Sequence, residues 1–419
     1  MEKNRPSSLY LEADQAARAL NIRKETLYAY VSRGQLRSIE VAGQKGRYYL
    51  REEVENLQQK KRLRQQPNTE LQQALHWGAP LLHSDISHLR EGHLYYRHQR
   101  LDTLSTASLE SVIALLWNCP ELAHPDAWRQ FAQHPSSELS PVAQIWQLVP
   151  QGSAWFYHIQ IALNLWFAQE LSVPVSEDPV SNAARILWRI WSSLPHWAQT
   201  EAAPPSGATQ QCIDCFKPLL PDPAQQELAR LILILSAEHE LNVSSFTARC
   251  VASGRGNVYQ SLSAAFAALG TPRQGGQVLQ VQHFLRQHRG QTATQMLQNC
   301  RMAGIQPPMP GHPLYPEGDP RWQIFLAHVS THWCHHPRVQ ETLTWVDALQ
   351  KHQHSHPTLD WVLALGAELL CPEWLNALDW FALGRCMGWL AHIQEQWQHP
   401  HLIRPRGQGA PPPPSADTA

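Results

Sequence analysis

The sequence predicts a mainly α-helical protein of two or three domains, with a small basic module at its front. Three observations predict it. Apolar residues recur at helical spacing through most of the 419 residues, in stretches ended by prolines. The length is too great for one small core. Charge also divides the chain. Residues 1–66 hold fourteen Lys+Arg and eight Asp+Glu, a net of +6, so the remainder carries −7 within a total of −1.

The rest of the composition narrows the function classes. Apolar residues at 43% and charged residues at 16% fit a folded soluble protein. The overall charge marks the whole chain for neither nucleic acid nor membrane. The longest purely aliphatic run, Leu231 to Leu235, is far too short to cross a bilayer. The sequence opens without a signal-peptide pattern, so the eight scattered cysteines are expected as reduced thiols in a cytoplasm.

Residues 1–62 read as a small winged helix-turn-helix. Leu11 to Leu20 is a short helix with Ala16, Ala17 and Leu20 on one face. Asn21-Ile22 is the turn. Arg23 to Ser32 is a second helix with Leu27 and Val31 turned inward, closed by Gly34. Ile39 to Val41 and Arg47 to Leu50 are two short strands around a hairpin tip at Gly43-Gln44-Lys45-Gly46, and Arg51 to Gln59 is a third helix. This module resembles the MerR-type and excisionase-type DNA-binding domains. The resemblance implies that the second helix enters the major groove with Arg23, Lys24, Thr26, Tyr28 and Tyr30, while Lys45 and Arg47 on the wing meet phosphates. The alternative is a docking or dimerisation module with solvated Lys and Arg.

Residues 63–75 are polar and glutamine-rich and read as a linker. From about 76 to 270 the pattern is helical throughout, as in Leu109 to Trp117, Ala154 to Leu171, Ser181 to Trp191 and Glu227 to Leu235. Helices continue from 275 to 370 around a Gly-Pro-rich loop at 304–320. The tail, 407–419, reads as disordered or polyproline-like.

The most informative stretch is Leu231 to Gly276. An apolar run delivers Glu238-His239-Glu240 to its end, followed by Leu241-Asn242 and a further helical stretch. An alanine-rich helix from Ser261 to Leu269 then leads to Thr271-Pro272-Arg273-Gln274-Gly275-Gly276. Polar groups placed between apolar helices need partners or a function. This stretch resembles the signature region of the citrate synthase family, which carries a similar His-Glu-Leu-Asn and a later Gly-Pro-Leu-His-Gly-Gly turn. Further segments match in order. They are Leu94-Tyr95-Tyr96-Arg97, Gly311-His312-Pro313-Leu314-Tyr315 with Asp319-Pro320-Arg321, Pro357-Thr358-Leu359-Asp360, Leu383-Gly384-Arg385, and Leu402-Ile403-Arg404-Pro405-Arg406. The likeness covers about residues 70–406. It implies a large helical domain from 76–270 and 371–406, and a small one from 271–370.

The resemblance also implies a chemistry: condensation of acetyl-CoA with oxaloacetate to give citrate and CoA, in a homodimer, with no bound cofactor. By position Asp360 matches the base, at a helix start whose dipole favours its charge while burial raises its basicity. His312 matches the donor to the ketone, and His239 matches a histidine that binds oxaloacetate. Arg321, Arg385 and Arg404 match the carboxylate clamps, the last reaching across the dimer interface.

One departure stands out. Gln274 occupies the place of the family histidine that hydrogen-bonds the thioester carbonyl. An amide can donate a hydrogen bond but cannot shuttle a proton. Pro313-Leu314 also lacks a basic residue that many members carry there, leaving Arg273 or Arg255 for the CoA phosphates. Two functions therefore stay open: a synthase-type acyltransferase, or a DNA-binding regulator whose synthase-like body senses a 2-oxo acid or acyl-CoA without turnover. A silent partner subunit of an active synthase is a third. Cys212-Ile213-Asp214-Cys215 has the spacing of half a zinc site, with Cys334, His332, His335 and His336 as distant candidates for the other half.

Overall fold

The computed structural model describes residues 10–20, 22–32, 36, 38–40, 47–50, 54, 82–132, 142, 144, 148–150, 154–170, 178–198, 211–309, 311–370, 373–399 and 401–405. Gly34, the hairpin tip with Lys45, the third front helix apart from Val54, the 63–75 linker, Arg406 and the 407–419 tail lie outside the described residues. The chain divides into two units, Met1–His83 and Ser84–Ala419.

In the first unit the order is β1 (Tyr10–Glu12), α1 (Ala13–Ala19), α2 (Lys24–Ser32), β2 (Ser38–Glu40) and β3 (Arg47–Leu50). The strands form an antiparallel sheet in the order β1-β3-β2, with Leu11 opposite Tyr49 and Ile39 opposite Tyr48. The helix expected from Leu11 begins two residues later. Leu11 joins β1, and the helix starts only after Glu12, whose backbone N–H is accepted by the Gln15 side chain at 3.1 Å in a capping box. Leu11, Ala16, Ala17, Leu20, Leu27, Leu36, Tyr49 and Val54 make the core.

The second unit opens with a second antiparallel sheet, β4 (Ser87–Arg90), β5 (His93–Tyr96) and β6 (Gln99–Arg100). The reading of 76–270 as all helical passed over it. Glu91 and Gly92, at φ 53° and 77°, take the left-handed geometry that a two-residue hairpin requires.

The helices follow as α3 (Leu101–Leu104), α4 (Leu109–Trp117), α5 (Asp126–Ala132), α6 (Trp155–Glu170), α7 (Pro179–Ser192), α8 (Leu194–Trp197), α9 (Pro223–Ser236), α10 (Val243–Ser253), α11 (Val258–Leu269) and α12 (Gly275–Gln287). Then come α13 (Ala293–Ala303), α14 (Pro320–His332), α15 (Pro337–Gln353), α16 (Leu359–Leu369) and α17 (Ala377–Gln398). Caps set many of the starts. Asp178, Asp222, Asn242, Asn257, Thr292 and Asp319 each accept a first-turn backbone N–H, and Pro179, Pro223 and Pro320 sit at the N1 position, where a missing N–H costs nothing.

The last helix is the centre of this unit. It is buried on every face from Ala377 to Gln394, as a helix with no polar stripe must be, and packs against α9, α10, α11, α12 and α16. Two glycines one turn apart let α9 come close. A Cβ on Gly384 would lie 2.0 Å from Ser236 Oγ, and one on Gly388 would lie 2.1 Å from the Ala237 carbonyl. The C-terminal end of α9 is thereby clamped, and the chain leaves it at Glu238 and His239.

Candidate active site

The strip after α9 is held by buried polar contacts. Glu238 is 0% exposed, and its Oε1 accepts from Ser87 Oγ at 3.2 Å and from His392 Nε2 at 3.1 Å. Its Oε2 lies 3.1 Å from Arg385 Nη2. Burial pushes the Glu238 carboxyl up, but Arg385 and His392 outweigh it, so the group sits below the ordinary carboxylate range. The β4–β5 hairpin pins the same strip. Tyr96 Oη donates to the Ile234 carbonyl at 2.7 Å, and Ser87 Oγ accepts the Glu240 N–H at 2.9 Å. These contacts turn His239 outward as a partly exposed ring.

The loop before α14 brings the second histidine. Gly311, at φ 74°, supplies a turn that other residues resist. Leu314 N–H donates to His312 Nδ1 at 3.2 Å, and the Tyr315 N–H donates to the His312 carbonyl at 2.9 Å. The rings of His239, His312 and Tyr315 form a triangle with centroids 5.1, 5.1 and 5.5 Å apart. Tyr315 Oη is 2.8 Å from His239 Nε2. Burial, then the nearby Arg321 cation, pushes His312 down to about 4, and burial with Arg321, His312 and Arg385 holds His239 well below the usual imidazole value. Both rings are therefore neutral at physiological pH. Because Leu314 occupies Nδ1 of His312 as a donor, the proton of His312 is on Nε2.

Arg321 and Asp360 complete this cluster. Arg321 is 3% exposed and stacks 5.5 Å over the Tyr315 ring. Its Nε and Nη2 donate to the two oxygens of Asp319 at 2.8 and 2.6 Å. Asp319 Oδ2 also accepts the Leu359 N–H at 3.1 Å, which ties the loop to the start of α16 and hence to Asp360. Asp360, partly buried in the first turn of α16, accepts from Thr358 Oγ1 at 3.0 Å. Burial raises its carboxyl to about 6, against the opposing pull of Thr358 and Arg321. That is a carboxylate poised as a base near neutral pH.

Gln274 is held apart from these four, by the helix that follows the Glu238 strip. It precedes α12, where Gly275 is required because a Cβ would lie 2.4 Å from the Leu269 carbonyl. Gln274 Nε2 donates to Ser244 Oγ at 3.0 Å, and Trp389 Nε1 donates to the same hydroxyl at 3.1 Å. The single Ser244 proton goes to Asn242 Oδ1 at 2.8 Å. Ser244 can then only accept from Gln274, which fixes the amide's orientation. Gln274 Oε1 is left buried with no partner.

The structure thus joins His239, His312, Arg321 and Asp360, while Gln274 is tied to Ser244 and Trp389 by the shared hydroxyl. The Nε–Nη2 edge of Arg321 is spent on Asp319, which leaves its Nη1 side for any further partner. Arg385 is 0% exposed, with Nη1 on the Ala237 carbonyl and Nη2 on Ser245 Oγ and Glu238. In this chain it holds the Glu238 strip. Arg404 is exposed and makes no ion pair among the described residues; its neighbour Ile403 donates to Ser253 Oγ at 3.0 Å. Arg255 is engaged with the Trp397 carbonyl at 2.9 Å, and Arg273 is exposed. Sequence reasoning missed Ser244 and His392, which act through neighbours and carry no spacing signal.

Elsewhere, Cys212 and Cys215 lie buried in a short 3₁₀ turn, where burial pushes both thiols up. Among the described residues no group of three or more His, Cys, Asp or Glu is placed to hold a metal. On the front unit Arg23, Lys24, Thr26, Tyr28 and Arg47 are exposed, with Lys24 Nζ 2.7 Å from Asp14. Tyr30 instead packs partly against the core of its module. No helix among the described residues is long and apolar enough to cross a membrane.

The family model for citrate synthase, C-terminal domain, matches residues 74–406. The chain belongs to the citrate synthase family. A helix-turn-helix domain model matches residues 10–62. Citrate synthase 2 of Bacillus subtilis is 30% identical over 190 residues, 44% of this chain and 51% of that protein. The 2-methylcitrate synthase 2 of Corynebacterium glutamicum is 30% identical over 187 residues, 41% of this chain and 46% of that one. The chain thus spans about half the length of these curated relatives. The crystal structure of citrate synthase from Thermotoga maritima superposes with a TM-score of 0.65 at 20% identity, covering 83% of this chain and 96% of that one. A ternary complex of the Thermoplasma acidophilum synthase with carboxymethyl coenzyme A and oxaloacetate gives 0.67 at 19% identity, over 80% and 95%. These likenesses establish the fold.

Proposed function

We propose that this chain condenses an acyl-CoA with a 2-oxo acid, most simply acetyl-CoA with oxaloacetate to give citrate and CoA. The observation that carries the reading is the raised Asp360 carboxylate in the field of the buried Arg321, which also acts on the neutral imidazoles of His239 and His312. Asp360 takes a proton from the carbon next to the thioester carbonyl. That carbon attacks the ketone carbon, and the ketone oxygen receives the proton of His312 Nε2, which the proton taken by Asp360 then replaces. Water then cleaves the thioester and releases CoA. Arg321 presents its remaining Nη1 to a substrate carboxylate. The second N–H of Gln274 is the available donor for the thioester oxygen, and loss of such a donor typically costs about 10²–10³ in rate. Arg404, exposed after the last helix, is suited to serve a neighbouring copy in a homodimer in the cytoplasm. The relatives named as 2-methylcitrate synthases make propionyl-CoA the second donor to try. Release of free CoA thiol, requiring both substrates, tests the reading; silence with both acyl-CoAs would refute it.

Gln274 favours a second reading. A glutamine tied to Ser244 cannot shuttle a proton, and the chain carries a helix-turn-helix domain. A synthase body that binds a 2-oxo acid without turnover would then regulate DNA binding through the exposed Arg23 and Lys24. DNA retention indifferent to oxaloacetate would refute this.

A further inference from the structure

Tyr315 belongs to a motif that the proposed chemistry leaves without a role. It is 3% exposed, yet its hydroxyl meets the histidine assigned to the 2-oxo acid, 2.8 Å from His239 Nε2. We propose that Tyr315 is a positioning residue that sets the tautomer of His239, so that the 2-oxo acid meets this ring as an Nδ1–H donor. The inference rests on the condensing-enzyme reading for its ligand, and on the structure alone for its tautomer.

The protons of the pair can be counted. Burial pushes the phenol of Tyr315 up and holds the imidazole of His239 well down, so both groups are neutral and each carries one proton. Two arrangements are available to the pair. If Nε2–H donates to the phenol, the Tyr315 proton must find another acceptor, and its hydroxyl has no other hydrogen-bond partner among the described residues. A buried donor left in that state costs as much as a lost hydrogen bond. If Tyr315 donates to Nε2, both groups are satisfied and the imidazole proton is on Nδ1.

His312 is fixed in the mirror sense, with Leu314 N–H on its Nδ1 and its proton on Nε2. The two rings lie nearly perpendicular, 5.1 Å apart, and Arg321 stacks over Tyr315 from above. A 2-oxo acid offers only acceptors at its ketone and carboxylates. Two neutral N–H donors set by two different anchors suit that chemistry, and neither can donate if its tautomer inverts.

The test is nitrogen-15 NMR of histidine-labelled protein, with His239 assigned by the signal lost in His239→Gln. In the wild type we expect His239 Nδ1 to resonate as a protonated nitrogen and Nε2 as an unprotonated one. Tyr315→Phe keeps the ring that packs on His312 and Arg321 and removes only the hydroxyl. It should shift His239 toward the Nε2–H form. Oxaloacetate affinity by calorimetry should weaken at least twofold, as the binding-competent fraction falls. A protonated Nε2 in the wild type would overturn the proposal. So would an unchanged tautomer in Tyr315→Phe. If wild-type protein binds no oxaloacetate, the ligand assignment and the function reading beneath it both fail, while the nitrogen shifts still decide the tautomer.

Discussion

Asp360→Asn should separate catalysis from stability in a way that pH can resolve. In the folded chain burial raises the Asp360 carboxyl to about 6 from an ordinary 3.8. The gap is worth about 3 kcal/mol between the charged and neutral forms. Its sign follows from linkage. The native state holds this proton more tightly than the unfolded chain, so the stability contribution is full below the unfolded value of 3.8. It is lost as pH rises through about 6, and the charged group stays costly above that. Asparagine keeps an oxygen for the Thr358 hydroxyl and carries no charge. Asp360→Asn should therefore be more stable than wild type by up to about 3 kcal/mol at pH 8, and by only about 1 kcal/mol at pH 4.5. Urea unfolding at the two pH values measures both differences. The same variant should lose turnover, since no base remains. A variant no more stable than wild type at pH 8, or a difference that does not shrink in acid, would refute the burial argument.

Other predictions concern neighbouring features. Ser244→Ala removes the acceptor shared by Gln274 and Trp389, and should cost about 1–3 kcal/mol in stability by thermal or denaturant unfolding. Gly388→Ala places a methyl group 2.1 Å from the Ala237 carbonyl and 2.3 Å from Glu238 Oε2. It should destabilise by about 1–3 kcal/mol and lower oxaloacetate affinity by shifting the His239 strip, as calorimetry would report. Arg47→Ala should weaken DNA retention and flatten its salt dependence by about one phosphate contact, as read in binding isotherms across salt concentrations; an unchanged slope would remove this residue from the interface.

Much of the fold was legible because helices in this chain announce themselves twice, by apolar spacing and by caps. Leu109 to Trp117 came out as read, and Pro179 and Pro223 sit at the first turns of α7 and α9. The Ser87–Arg100 sheet was not read, since its strands are two to four residues long and period-two alternation needs a longer run to stand out. Leu11 was drawn into α1 for a related reason: one apolar residue fits a helix face and a strand face equally well until its partner, Tyr49, is known.

The family resemblance picks out His239, His312, Arg321 and Asp360 by position, and the structure gathers them around Arg321 and Tyr315. The site was less legible in what holds them. Arg385 resembles a clamp by position, yet its Nη1 and Nη2 meet Ala237, Ser245 and Glu238, and its Nε is buried without a partner, across a helix contact that Gly384 and Gly388 permit. Ser244 and Tyr315 act through another side chain, and such roles depend on a geometry that spacing does not encode.

The most direct measurement is a free-thiol assay of CoA release from acetyl-CoA and oxaloacetate, run on wild type, Gln274→His and Asp360→Asn, with propionyl-CoA in parallel. The account predicts release by the wild type that requires both substrates, equal or faster release by Gln274→His, and none by Asp360→Asn. No release by the wild type from either acyl-CoA would contradict it, and activity gained only in Gln274→His would leave a binding scaffold that a single residue keeps silent.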